Sequence, residues 1–360
     1  MFTLEYGDDL ALVVETARRL AESELIPRLR EAESAREVSA ELRAAWQEVG
    51  LSALELPESS EGAGLGSLAR VLVNEELAAG DVGAAVALDP FGPAMTALLE
   101  VGGEEAVAQL VAVVGHRGRR TVFVSEHDAR IEVRSDSIEI DAPWVSAEAA
   151  LAIVVLKGSE AVLVTQGFEF EPVRGAGLRA AGAARLLAKN APIADCWSSQ
   201  AGATRALARA RLYYASLLLG VMRASCDFSA DYAQQREAFG KPIAHHQALA
   251  FLITEMRMSL DTARLLVQEA AWRVDNDLPC AMEAASAWAE CIEAARRIGP
   301  NGVQILGGHG FMADYPVEKH MREARALGLL CGGFDAAIEE AGQQLIQSPS
   351  PLALGVEGAL

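Results

Sequence analysis

What this chain has little of is positive charge, aromatic side chains and cysteine. Lys and Arg number 31 against 50 Asp and Glu, a formal net charge of −19. Such a surface repels phosphate backbones and anionic lipids, which argues against DNA, RNA and membranes as partners. A polyanionic ligand would need a local basic patch. Aromatics make up 6% of the residues while the hydrophobic share is 51% and rests on Ala and Leu, a composition that favours helix bundles. The five cysteines, Cys196, Cys226, Cys280, Cys291 and Cys331, are odd in number and widely spaced. With no CxxC and no mixed Cys/His spacing they point away from a disulfide framework or a metal site and toward reduced thiols. No run is long and apolar enough to span a bilayer. The first nine residues are acidic and lack the basic and apolar regions of a leader, so the expectation is a cytoplasmic protein without membrane insertion.

The 360 residues suffice for two or three domains. Residues 1–118 read as an N-terminal α-helical domain. Leu10, Val13, Ala17, Leu20 and Ile26 fall close to one helical stripe, and Ser39 is a cap candidate before Leu42, Trp46 and Val49. Pro57, Gly62 and Gly64 mark a turn-rich loop. Residues 119–200 change character: Thr121–Val124 and Ala152–Leu156 are β-branched runs, and residues 131–133, 138–140 and 168–171 alternate with period two. Short connections predict a small, mostly antiparallel β domain. Residues 201–360 return to helical spacing, with Leu249, Leu252, Met256, Leu260, Ala263 and Leu266 in one stripe and Ala284, Trp288, Cys291, Ala295 and Ile298 in another. Long helices on short links predict an antiparallel four-helix bundle, followed by a frayed tail after Ser348.

Two motifs in that last third carry chemistry. Arg236-Glu237-Ala238-Phe239-Gly240-Lys241-Pro242-Ile243, with Gln247, offers a guanidinium fork suited to a pyrophosphate and an aromatic beside it. Gln304-Ile305-Leu306-Gly307-Gly308-His309-Gly310-Phe311 offers backbone that a phosphate can approach closely. Taken singly, each also suits an exposed arginine and an ordinary loop. Together and in this order they resemble the flavin-binding elements of the acyl-CoA dehydrogenase family. The order of helices, small sheet domain and helix bundle resembles that family too, as does the stretch from Leu56-Pro57-Glu58 through Gly64-Leu65 to Glu75-Glu76-Leu77. The resemblance implies a mostly α fold with a central β domain, and FAD as cofactor. It implies that Arg236, Phe239, Gln304 and Gly308 serve the FAD of a neighbouring subunit, with Gln247 and Gly307 beside them. Trp144-Val145-Ser146 resembles the family's Trp-Ile-Thr segment, which places Ser146 toward the flavin ring and Trp144 alongside. A Trp closing a strand in a sheet core explains the same residue equally well.

The departures from the family matter as much. Its usual catalytic glutamate falls on Cys331, before Gly332-Gly333, and its alternative position falls on Ala210, next to Arg211. Neither is an acid, so no catalytic residue stands at the usual positions. Cys331 reads as a small residue filling space rather than a thiolate base, since no cation beyond Arg325 is placed near it in sequence. Arg211 matches a family arginine near the active site, a solvated helix arginine being the alternative. The flavin loop begins as Val124-Ser125-Glu126 but continues His127-Asp128-Ala129-Arg130, without the family's Pro, Gly and Ser-Asp. The expectation is a subunit of an FAD-dependent acyl-CoA dehydrogenase that lacks its own base, paired with a second acyl-CoA dehydrogenase-like chain in an α2β2 heterotetramer. Its substrate would be an acyl-CoA such as a steroid side-chain thioester, and its electron acceptor an electron-transfer flavoprotein. A self-sufficient homotetramer using another base, other flavin chemistry, and a flavin-free scaffold are the rival readings.

Overall fold

The computed structural model describes residues 6–115 and 120–347. The first five residues and the tail expected to fray after Ser348 lie outside these. Helix α1 (Asp8–Leu20) carries Asp8 and Asp9 in its first turn and Arg18 and Arg19 in its last, the polarity the helix dipole favours. A π turn over Ala21–Leu25 then leads into α2 (Ile26–Ala35). The extra residue in that turn rotates the chain, so Leu25 is buried and Ile26 is 52% exposed. The expected stripe therefore stops before Ile26. Helix α3 (Ala40–Val49) begins as the sequence predicts: the Leu42 N–H donates to Ser39 Oγ at 3.2 Å. Helix α4 (Ser67–Leu88) is kinked at Asp81, whose carboxylate caps the continuing half by accepting the N–H groups of Gly83 and Ala84. Helix α5 runs over Gly92–Val114.

The β domain is a pair of four-stranded sheets. One contains β1 (Thr121–Ser125), β4 (Ala152–Lys157), β5 (Glu160–Val164) and β8 (Asp195–Ser198), in that order. The other orders β2 (Arg130–Val133), β3 (Ser137–Val145), β7 (Ala184–Pro192) and β6 (Phe168–Pro172). Pairing is antiparallel except for β1 with β4, where Thr121 lies opposite Ala152. That parallel pair needs no crossover helix, because the chain between its strands makes β2 and β3 of the other sheet. Ile138, Ile140, Ile153, Val155, Val162 and Leu186 fill the space between the sheets.

The C-terminal helices are α6 (Gln200–Gln235), α7 (Gln247–Asp275), α8 (Ala281–Leu306), α9 (Val317–Leu327) and α10 (Gly333–Gln347). Helix α8 packs on α6, α7 and α10, burying Ala284, Trp288, Cys291, Ala295 and Ile298 as their spacing predicts. Helix α9 is clamped to the kink of α4 by Lys319. Its Nζ, fully buried, lies 2.8 Å from Asp81 and 2.6 Å from Glu323. One buried ammonium between two carboxylates leaves a negative charge uncompensated, and burial pushes Glu323 up to about 7 from its ordinary 4.5. Between those two pH values the unfolded chain has released a proton that the folded chain keeps. This group's contribution to stability therefore falls as pH rises from about 4.5 to about 7 and is flat above. Glu323→Gln should remove that slope, a difference on the order of 3 kcal/mol across the window. Urea unfolding of both proteins at a series of pH values measures it, and identical pH profiles would show that Glu323 titrates normally.

Candidate functional site

The residues singled out in the sequence fall in two places. The first is an outward arm at the end of the bundle. Helix α6 stops at Gln235, and Arg236 leaves it in extended conformation. Residues 237–238 pair with 241–242 in a two-residue hairpin. Its turn is made by Phe239 (φ +55°) and Gly240 (φ +80°). A left-handed conformation disfavours a bulky residue, and Phe239 is also 96% exposed. Among the described residues the Arg236 guanidinium has neither a hydrogen bond nor an ion pair, and it is exposed. Gln247, at the start of α7, is exposed as well. The second motif ends α8: Gln304, Gly307 and Gly308 are exposed, with open space around both glycines, and Phe311 is 77% exposed. Tyr232, one turn before Arg236, ties the motifs together. Its hydroxyl is 2.8 Å from His309 Nδ1, and the His309 ring stacks on Tyr315 at 5.0 Å. The structure thus brings both motifs to one end of the bundle and leaves them facing out.

The second place is internal. Trp144 and Ser146, at the end of β3, line a gap of only about 40 Å³ between the sandwich and α6. That is room for one or a few waters. The space is taken by Tyr213 and Tyr214, whose rings meet edge to face at 5.4 Å, and by Asp89, which accepts the Tyr213 hydroxyl at 2.9 Å. A tricyclic flavin ring does not fit beside Trp144 in this arrangement.

The segment at the family's base position closes the same gap from the other side. Cys331 is fully buried in a single turn (Leu330–Gly332) at φ +50°. Its N–H and that of Gly332 donate to the Asp128 carboxylate at 3.1 and 2.9 Å, and Ser125 Oγ donates to it at 2.6 Å. Asp128 therefore latches the β1–β2 loop onto the start of α10. Burial raises the Cys331 thiol well above its ordinary value; Asp128 and Glu340 add to the rise, and Arg211 opposes it. Cys331 is a neutral thiol that fills space. Arg211 is completely buried and paired with Glu340, which corrects the alternative of a solvated helix arginine; its Nε and Nη2 have no acceptor among the described residues. Ala210 is buried beside it and offers no functional group.

Sequence reasoning missed Asp128, Tyr213, Tyr214 and Glu340. Two signals were present. An Asp three residues after a Ser, closing a turn through the Asp128 N–H to the Ser125 carbonyl at 3.0 Å, is common turn chemistry. Adjacent tyrosines next to Arg211 are conspicuous in a chain so poor in aromatics.

Known proteins share this arrangement of domains. The acyl-CoA dehydrogenase N-terminal domain matches residues 7–113, and the acyl-CoA dehydrogenase C-terminal domain matches residues 201–343. The chain belongs to the acyl-CoA dehydrogenase family. It is 29% identical to the mitochondrial short-chain specific acyl-CoA dehydrogenase of Bos taurus, over 90% of this chain and 86% of that one. The human protein of the same name is 28% identical over the same shares. Butyryl-CoA dehydrogenase from Megasphaera elsdenii superposes with a TM-score of 0.84 at 21% identity, covering 96% of this chain and all of that one.

The buried, neutral thiol has a measurable consequence. In the folded chain iodoacetamide should alkylate the exposed Cys196 and leave Cys331 unmodified until denaturant is added, as peptide mapping would show. Fast modification of Cys331 in the folded protein would mean an accessible, ionised thiol.

Proposed function

We propose that this chain is the subunit without a catalytic base in a cytoplasmic, heterotetrameric acyl-CoA dehydrogenase. The reaction is the α,β-dehydrogenation of an acyl-CoA with FAD as cofactor, and an electron-transfer flavoprotein takes the electrons onward. When bound, FAD supplies the two-electron acceptor. The observation that carries the reading is the contrast between the two halves of the site. The elements that would serve a neighbour's flavin, Arg236, Phe239, Gln304, Gly307 and Gly308, stand exposed. Those that would serve the chain's own, around Trp144 and Ser146, are packed to about 40 Å³. Arg236 would neutralise pyrophosphate charge, Phe239 would cover the adenosine half, and Gly307-Gly308 would let backbone approach the phosphates.

A partner chain is also supported by an unpaired apolar stripe. Phe251, Met258 and Leu265 are 57%, 64% and 46% exposed at seven-residue spacing on α7. Such a stripe is suited to packing on another helix. The acyl group we propose is a bulky steroid side-chain thioester, for which a complex with fewer active sites leaves more room. That assignment rests on analogy within the family.

The chain should be purified alone and with a glutamate-bearing acyl-CoA dehydrogenase chain from the same organism. Alone it should be colourless; together they should be yellow and should oxidise acyl-CoA. A yellow homomer with one FAD per chain would sink the partner-subunit reading. In the complex, Arg236→Ala should weaken FAD by the strength of a charge-assisted contact, on the order of 1.5–3 kcal/mol or roughly 10- to 100-fold. Unchanged FAD affinity would remove Arg236 from the dinucleotide.

A further inference from the structure

A cavity of about 460 Å³ lies between α3, the C-terminal end of α4 and the sandwich loops at 148–149 and 180–181. It is separate from the gap at Trp144, and Arg120 forms a wall common to both. Three arginines line it, Arg36, Arg43 and Arg120, against two carboxylates, Glu37 and Glu148. In a chain of net charge −19 this is a local reversal of sign.

The cations are incompletely matched. Arg36 is paired with Glu148 at 2.8 Å and donates to the Val173 carbonyl at 3.0 Å, yet its Nε is buried without an acceptor among the described residues. Arg120 has no carboxylate partner among the described residues. Its Nη1 donates to the carbonyls of Ser146 and Ala181 at 2.6 and 2.8 Å, and its Nε is buried without an acceptor among the described residues. Among the described residues Arg43 reaches only the Ala87 carbonyl, at 3.5 Å, which is at the limit of a hydrogen bond. Burial takes Arg120 down to about 10 and lowers Arg43, with Glu37 partly offsetting the latter. Arg120 is half-buried and bonds to carbonyls alone, so its charge is only partly compensated, while Arg43 is exposed at the cavity wall and free to reach a ligand. An oxyanion supplies both the missing charge and the missing acceptors, in the planar geometry a guanidinium favours. Trp46 adds an apolar wall, its indole N–H already donating to Ser52 Oγ at 2.5 Å.

We propose that this cavity binds a small organic oxyanion, a carboxylate- or phosphate-bearing metabolite, held by Arg43 and Arg120. Every residue lining it belongs to this chain, and none is among those assigned to the flavin.

The test uses the full-length chain with two probes, inorganic phosphate and succinate, at constant ionic strength with chloride as reference. Thermal unfolding and calorimetric titration should show saturable binding of at least one probe. Phosphate alone would identify a phosphate-bearing ligand and succinate alone a carboxylate. Arg43→Gln should weaken that binding at least ~10-fold, the loss expected for one charge-assisted contact. Arg120→Gln should do the same where it folds; Arg43→Gln decides the matter where it does not. No saturable effect of either probe beyond chloride, or undiminished binding in Arg43→Gln, would overturn the proposal. A colourless or a yellow preparation bears on the flavin reading alone and leaves this outcome unaffected.

Discussion

The close approach of α6 to α4 is the contact on which the rest of this structure depends. At their crossing stands Gly220, where a Cβ would lie 2.4 Å from the Glu75 carbonyl oxygen and 2.7 Å from the Ala78 side chain. Backbones this close bury the acidic pair Glu75 and Glu76, which cannot stay buried as bare charges. Glu75 is met by Arg264 from α7 at 2.9 Å, and Glu76 by Arg223 from α6 at 2.7 Å and Arg18 from α1 at 3.0 Å. One small residue thus recruits cations from three helices and ties the N-terminal helices to the bundle. It also fixes α6, the element that spans both functional regions. Tyr213 and Tyr214 fill the internal gap from its middle, and Arg236 leaves its end about 35 Å away by helical rise.

The contrast between those two regions follows from which donors are already in use. Around the base position the hydroxyl of Ser125 and the N–H groups of Cys331 and Gly332 all converge on Asp128. A carboxylate that accepts three hydrogen bonds leaves nothing for a phosphate or ribityl group to accept, and its charge repels one. At the outer arm the opposite holds. The Arg236 guanidinium has no partner and no neutralising acid among the described residues, and open space surrounds Gly307 and Gly308, the Gly307 N–H being already given to the Gln304 carbonyl.

Much of the fold was legible because it follows from period. The stripe on α8, the Ser39 cap and strands β1 to β4 and β6 stand where alternation and spacing place them. The π turn after Leu20 was not legible, since one extra residue per turn leaves no compositional mark. Strands β5, β7 and β8 were missed for a related reason. Fully buried runs such as Ala161–Val164 do not alternate, and Ala-rich Ala184–Pro192 has little β propensity of its own. In the site, motifs of contiguous residues could be read directly. The closing of the internal gap could not, because it pairs Asp128 with a turn some 200 residues later. The burial of Arg211 could not be read either, because its partner Glu340 lies 129 residues away.

The arm's exposure carries its own energetic argument. An isolated chain holds Phe239 and Phe311 in water, with Phe239 in a backbone conformation unfavourable for its size. Local stability does not explain this, because a polar residue or a glycine at 239 would relieve both costs. Burial against a ligand or a partner does explain it, since aromatic area contributes only once it leaves water. Electrostatics points the same way. An acidic chain repels a dinucleotide at long range, but salt screens that repulsion within about 8 Å. Close to the arm, Arg236 is exposed and meets no acid among the described residues, so its guanidinium is the nearest charge an approaching anion would meet.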